Sequence, residues 1–128
     1  MPMLVRAFPI TQGKDEMMKF IEELTQRRAS EVDAFYQRFG VSHEVVFWQE
    51  TPHGAQIIVC TQVADLTDTP ETYARAEEPF ESWFKGEILR LTGVDLNQTP
   101  LGPPSEKIFE WADVGRKGSN ASDAGSLD

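Results

Sequence analysis

Cysteine and histidine are scarce in this sequence, which has one cysteine, Cys60, and two histidines among 128 residues. A lone cysteine can neither close an intramolecular disulfide nor supply the paired ligands of a structural zinc site, so packing alone must hold the fold. This composition suits a reducing compartment, and we expect a cytoplasmic protein. We also expect no metal and no other cofactor.

Basic residues are also few, because 12 Lys and Arg face 21 Asp and Glu, which gives a formal charge of −9. Nucleic acids and anionic membrane surfaces would repel such a chain, so we expect neither as a partner. No apolar run approaches the roughly 20 residues of a membrane-spanning helix. The apolar start of the chain contains Arg6 and lacks a cleavage signal, which predicts a strand and not a signal peptide.

The sequence does contain enough apolar residues for one hydrophobic core, since they make up 40% of the chain. We predict one domain over residues 1–112, followed by a polar tail, 113–128, with little to bury. Hydrophobic periodicity and turn residues predict the elements within the domain. They are a strand (3–8), a helix bent near Ser30 (14–39), a hairpin (42–50 and 55–63), two helices (69–76, and 79–92 before Gly93) and a strand (107–112).

This βαββαβ order is typical of the ferredoxin-like α+β fold, a four-stranded antiparallel sheet with its helices on one face. Both hairpin strands contain four consecutive apolar residues, at 45–48 and 57–60. A half-exposed sheet would alternate apolar and polar residues, so both faces of this sheet must be covered. Because the helices cover one face, we expect a homodimer in which two sheets pack face to face.

Three stretches near the start of the chain resemble the dimeric α+β barrel superfamily, which includes antibiotic-biosynthesis monooxygenase-like and stress-responsive barrel domains. They are Val5-Arg6-Ala7-Phe8-Pro9, Gln12-Gly13-Lys14-Asp15-Glu16 and Phe20-Ile21-Glu22-Glu23-Leu24. Within that superfamily the chain looks similar to a group of small bacterial proteins that share residues 49–54 and 91–95. The resemblance implies a homodimer with a small-molecule pocket between sheet and helices. Some members use that pocket for cofactor-free oxygenation and others for haem degradation.

Arg6 is the polar residue that stands out, because it interrupts an apolar strand that we place at the centre of the sheet. A buried guanidinium must be paired, either with a carboxylate such as Glu50 or Glu110 or with an anionic ligand. His43 begins the second strand and titrates in the range that suits a general base, although a histidine at a strand end is also commonly just half-buried.

In an enzyme, His43 would act as the base and Arg6 would stabilise developing negative charge. Five further side chains are candidates for contact with a ligand: Arg28, Trp48, Tyr36, Tyr73 and Trp83. Each also has a structural interpretation, with the aromatic rings in the core and Arg28 paired with Glu23 or Glu31 at helical spacing.

The sequence contains no phosphate-binding loop, nucleophile elbow or paired metal-ligand motif. Two functional classes stay open. We favour a non-catalytic dimeric module that binds a small molecule or a partner. The alternative is a cofactor-independent monooxygenase or isomerase acting on a small aromatic or apolar anionic substrate.

Overall fold

The computed structural model describes residues 3–64 and 78–113. These residues form an α+β fold, as the sequence predicts. The elements are β1 (Met3–Pro9), α1 (Lys14–Thr25), α2 (Ala29–Arg38), β2 (Val41–Thr51), β3 (Gly54–Val63) and α3 (Pro79–Thr92). The predicted helix over 69–76 and the tail from residue 114 lie outside the described residues.

The predicted hairpin is confirmed. Strands β2 and β3 pair in antiparallel register from Val41 opposite Val63 to Thr51 opposite Gly54. Pro52 and His53 form the two-residue turn, and Gly54 follows it at a φ of 117°, which favours glycine. Strand β1 pairs antiparallel with the other side of β3, so the strand order is β1-β3-β2.

The long helix predicted over residues 14–39 is two helices. Helix α1 ends at Thr25 and α2 begins at Ala29, so the predicted bend is a complete break a few residues before Ser30. Gln26 and Arg27 at the break are exposed, and no apolar side chain there ties the turn to the core. The structure also confirms the third helix, whose first residue is Pro79 and whose C-terminal cap is Gly93 at a φ of 78°.

The predicted fourth strand is absent from the described residues, and residues 105–113 have no regular secondary structure. One bridge joins Arg6 to Pro104, and the Ser105 amide donates to the Val5 carbonyl at 3.0 Å. The described sheet therefore has three strands, and β1 lies at its edge and not at its centre. Continuing the register of the bridge places Lys107 opposite Met3, the first residue that the structure describes, and the described residues from 105 onward form no strand with β1.

All three described helices pack on one face of the sheet, as predicted. Their apolar side chains and the alternate residues of the strands form one core, which includes Phe8, Met17, Phe20, Phe35, Phe39, Ile57, Val59, Phe80, Ile88, Leu91 and Leu96. The Phe35 ring lies near its centre, 5.1 Å from the Phe80 ring and 5.2 Å from the Phe84 ring between centroids. Aromatic contact thus joins α2 to α3.

The opposite face of the sheet, which we call the open face, carries the residues that alternate with the core set. At its centre lie Val5, Val45, Phe47, Ile58 and Cys60. Val5 is 37% exposed and Phe47 is 42% exposed, and the other three are half-buried. The unbroken apolar runs of the hairpin strands therefore supply both the core and this open face.

Two ion pairs join the helices to one another. Arg38 of α2 lies 2.7 Å from the carboxylate of Glu81 in α3, whose side chain is 1% exposed. Arg90 of α3 lies 2.9 Å from the carboxylate of Glu16 in α1. Hydrogen bonds from Lys19 and then Arg90 hold the pKa of Glu16 below its ordinary value.

Candidate functional site

An apolar cavity of about 100 Å³ lies between the sheet and the helices. All three strands and all three helices contribute to its wall, and most of the side chains that face it are apolar. Four polar side chains also line it, which we call the polar cluster: Arg6, Tyr36, Glu44 and Thr61. A mostly apolar pocket with a few convergent polar groups is the usual form of a small-molecule site.

Arg6 reaches the cavity because alternation along β1 turns its side chain toward the helices, on the same face as Phe8. The residue is 7% exposed. Its Nη1 donates a hydrogen bond to the Leu101 carbonyl at 2.7 Å, and its Nη2 donates to the Thr61 hydroxyl. The Glu44 carboxylate lies 3.8 Å from the same Nη2. This buried guanidinium is therefore paired within the protein.

Glu44 joins the rest of the polar cluster. Its Oε1 accepts a hydrogen bond from the Thr61 hydroxyl at 2.8 Å, and its Oε2 accepts one from the Tyr36 hydroxyl. The network therefore runs from β1 across β3 and β2 to helix α2. The guanidinium of Arg6 and the carboxylate of Glu44 balance, so the polar wall of the cavity has both donors and acceptors but no net charge.

The turn around Leu101 and Gly102 positions the carbonyl that receives Arg6. Leu101 has a φ of 67° and Gly102 a φ of 94°, so two successive residues adopt the left-handed region. A Cβ on Gly102 would overlap the Phe8 ring, so glycine lets the turn close directly over the core. The Gly102 amide donates to the Thr99 carbonyl at 2.9 Å, which closes the turn. Left-handed leucine costs roughly 1 kcal/mol or more, and the surrounding contacts must hold it.

The structure brings two of the sequence candidates together, Arg6 and Tyr36, through Glu44. The prediction that Arg6 pairs with a carboxylate is confirmed, but both carboxylates named for that role were wrong. Glu44 lies opposite Thr61 in the register of β2 and β3, beside the Arg6 guanidinium, whereas Glu50 lies opposite Ala55 near the hairpin turn. Glu110 instead lies 2.5 Å from Lys107.

His43 lies apart from the polar cluster. It is exposed and pairs in register with Gln62, whereas Arg6 pairs with Val59. Residues three positions apart on β3 face opposite sides of the sheet, so the side chains of Arg6 and His43 lie on opposite faces. Within one chain they do not meet at a common site.

Arg28 and Trp83 form a second cluster at the break between α1 and α2. The Arg28 guanidinium lies over the Trp83 ring at 4.1 Å from the centroid, a cation–π contact. It also lies 3.2 Å from Glu31, which confirms the predicted pairing at helical spacing, and 3.4 Å from Glu23, five residues earlier across the break between the helices. The Arg28 guanidinium therefore already contacts protein groups on several sides.

Trp48 lies apart from both clusters. Trp48 on β2 is half-buried, donates from Nε1 to the Glu50 carboxylate at 2.7 Å, and has the Lys14 ammonium 5.9 Å from its ring centroid. It packs against the core but does not line the cavity. Tyr73 lies outside the described residues.

Glu44 and Thr61 are the functional candidates that sequence reasoning missed. Both carry the signal that singled out Arg6, a polar residue on an otherwise apolar face of a strand. Glu44 alternates with Val46, and Thr61 alternates with Val59 and Val63. Three polar residues on the buried faces of three strands predict a shared network, since buried polar groups require partners.

Two kinds of feature are absent from the described part of the chain. No group of three His, Cys, Asp or Glu side chains within it could hold a metal ion. None of its helices is long and apolar enough to cross a membrane.

Comparison of the chain with protein-family models, with curated proteins and with solved structures gives no match. The cavity, the polar cluster and the open face are therefore the features that bear on function.

Proposed function

We propose that this chain is a small-molecule-binding domain whose site is the cavity between the sheet and the helices. The polar cluster at the cavity wall carries this proposal. Four polar side chains from four different elements converge on an otherwise apolar space. Burying an arginine and a glutamate there costs free energy that an apolar pair would avoid, so their presence favours a role in recognition.

The size and charge of the site indicate the class of ligand. A cavity of about 100 Å³ is somewhat smaller than the roughly 150 Å³ cavity that accepts benzene in another protein. Because Glu44 already balances Arg6, an added anion would gain little attraction and would be repelled by the carboxylate. The cavity is not closed, however, since Val46 in its wall is 40% exposed, so a ligand can extend past the enclosed space. We therefore propose a neutral ligand of about six to eight heavy atoms, with one hydroxyl or carbonyl group that meets the polar cluster.

Three probe compounds of similar size test this proposal by NMR titration of the methyl-labelled protein. We expect phenol to shift the Ile57 and Val59 methyl resonances with a dissociation constant on the order of 1 mM, toluene to bind more weakly and benzoate to bind weakest. Benzoate binding tighter than phenol would contradict a neutral ligand. No shift with any of the three probes would overturn the cavity as a ligand site.

Adjacent residues of β2 supply a matched pair of variants. Val46 lines the cavity, whereas Val45 faces the open side of the sheet. We expect Val46→Phe to fill the cavity and abolish phenol binding, and Val45→Phe to leave it unchanged. Equal loss in both variants would mean that the shifts report general loosening of the sheet and not occupation of the cavity.

Catalysis is the second candidate, as cofactor-independent oxidation or isomerisation of the bound ligand. The observation that favours it is the Tyr36 hydroxyl bonded to Glu44 at the cavity wall, an arrangement that can move a proton. Because His43 lies on the other face, Tyr36 and Glu44 replace it in this candidate. Mass spectrometry of the probe after incubation in air detects oxidation, and proton NMR of the same sample detects an isomer of unchanged mass. Binding alone returns the probe unchanged in both measurements.

We further propose that the chain is a homodimer of the dimeric α+β barrel type, in which two open faces pack together. The apolar open face supports this, as does the position of Pro104 and Ser105 beside β1, where a ferredoxin-like sheet has its fourth strand. A face with Phe47 and Val5 more than a third exposed gains by burial against a second copy. A stable monomer at 100 µM in sedimentation velocity would contradict this part of the proposal.

A further inference from the structure

The segment that follows the bridge to β1 exposes three large apolar side chains. Ile108 is 88% exposed, Phe109 is 80% exposed and Trp111 is 74% exposed. We propose that residues 108–111, which we call the arm, pack on the open face of a second copy of this chain, and that two copies exchange their arms. This inference rests on the proposed dimerisation through the open face and adds a second element to it.

The described pairing between this segment and β1 stops before the arm begins. Ser105 donates to the Val5 carbonyl, and the bridge pairs Pro104 with Arg6. Residues 105–113 have no regular secondary structure, so the arm is not a strand of its own sheet. It follows the edge of β1, and that edge borders the open face.

The area that a stable dimer requires favours a second copy as the partner of the arm. Strands β1, β2 and β3 have 7, 11 and 10 residues, and at about 3.3 Å per residue and about 4.8 Å between strands they give an open face of roughly 440 Å². A standard interface buries about 800 Å² on each partner. The sheet faces alone therefore fall well short of a stable dimer.

The arm supplies most of the missing area. A buried aromatic side chain removes roughly 150–250 Å² from solvent, so Phe109 and Trp111, with Ile108 beside them, raise the figure to roughly 800 Å² per copy. A two-fold axis makes the exchange reciprocal, so each copy offers one arm and one open face. The interface then approaches the standard size with an aromatic centre, which is typical of the residues that dominate binding.

Sedimentation velocity of the full chain and three variants tests the two elements separately. We expect the unaltered chain to dimerise with a dissociation constant below about 10 µM. The double variant Phe109→Ser with Trp111→Ser removes the arm contacts, and Phe47→Ser removes the centre of the open face. Each should weaken dimerisation by at least about 100-fold. Met18→Ser, a matched control at a 52% exposed site on α1, should not.

The outcomes separate the arm from the dimer. A monomeric unaltered chain overturns both proposals. If the double arm variant dimerises like the unaltered chain and Phe47→Ser does not, the contact between arm and open face is overturned. The face-to-face dimer is then retained. Circular dichroism melting checks folding, and the arm variants should melt like the unaltered chain when both are monomeric, because the changed side chains are exposed.

The one cysteine of the chain provides a direct readout of arm position. Cys60 lies on the open face in the central strand β3. Under mild oxidation we expect Trp111→Cys to give a covalent dimer, and the same variant with Cys60→Ser to give none. A covalent dimer that forms equally well without Cys60, or no covalent dimer in either variant, would overturn contact between the arm and the open face.

Discussion

Replacing Glu44 with glutamine tests how far the polar cluster depends on the charge that balances Arg6. Glutamine keeps an acceptor for one of the Tyr36 and Thr61 hydroxyls, places an N–H donor opposite the other, and removes the negative charge 3.8 Å from the guanidinium. At an effective dielectric constant of about 20, that attraction is roughly 4 kcal/mol. Removing the desolvation cost of Glu44 itself recovers part of it, so we expect a net loss of about 2–3 kcal/mol in the free energy of unfolding.

Urea denaturation followed by circular dichroism at pH 7 and fixed protein concentration measures this loss. Glu22→Gln, at an exposed position of α1, is the matched control and should change stability by less than about 0.5 kcal/mol. In the double variant Arg6→Met with Glu44→Gln, the loss should be smaller than the sum of the single losses by about 1.5 kcal/mol or more, because no unbalanced charge is left buried. A Glu44→Gln variant as stable as the control, or strictly additive losses, would refute the coupling.

Three further predictions concern stability and titration away from the cavity. Gly102→Ala should lower the free energy of unfolding by about 3 kcal/mol or prevent folding, measured by thermal melting, because the new methyl overlaps a core ring at a left-handed φ. Arg38→Ala should cost about 2 kcal/mol in urea denaturation, since it leaves the carboxylate of Glu81 buried without this partner. The Glu16 carboxylate should titrate below its ordinary pKa by carbon-detected NMR, and Lys19→Ala should raise that pKa. Because the folded-state pKa is lowered, the Glu16 contribution to stability is present above the unfolded pKa and is lost as pH falls through the folded one.

The sequence correctly predicted the elements whose ends are set by nearby turn and capping residues. The turn residues at 51–54 fixed the hairpin, and Pro79 and Gly93 marked both ends of α3. The strand predicted over residues 107–112 failed for a nonlocal reason. Its residues have strand propensity, but a strand requires a paired neighbour, and the described pairing on this side of β1 is the Arg6–Pro104 bridge and the hydrogen bond from Ser105 to Val5.

The same distinction applies to the candidate site. Alternation on β1 was enough to predict that Arg6 is buried and paired. Its partner could not be named, because the choice between Glu44 and Glu50 depends on which residues of β2 lie beside the guanidinium once β3 has paired with both neighbours. The position of His43 depends on the register in the same way, because only the pairing with β3 shows that within one chain it faces the other side of the sheet from Arg6.

A crystal structure of the protein soaked with 4-bromophenol most directly tests the cavity as a ligand site, because anomalous scattering locates the bromine without ambiguity. We expect one bromine within the cavity, among Ile57, Val59 and Val46, with the phenol hydroxyl within hydrogen-bond distance of Glu44 or Tyr36. An empty cavity at millimolar probe, or bromine found only on the outer surface, would contradict the proposed site.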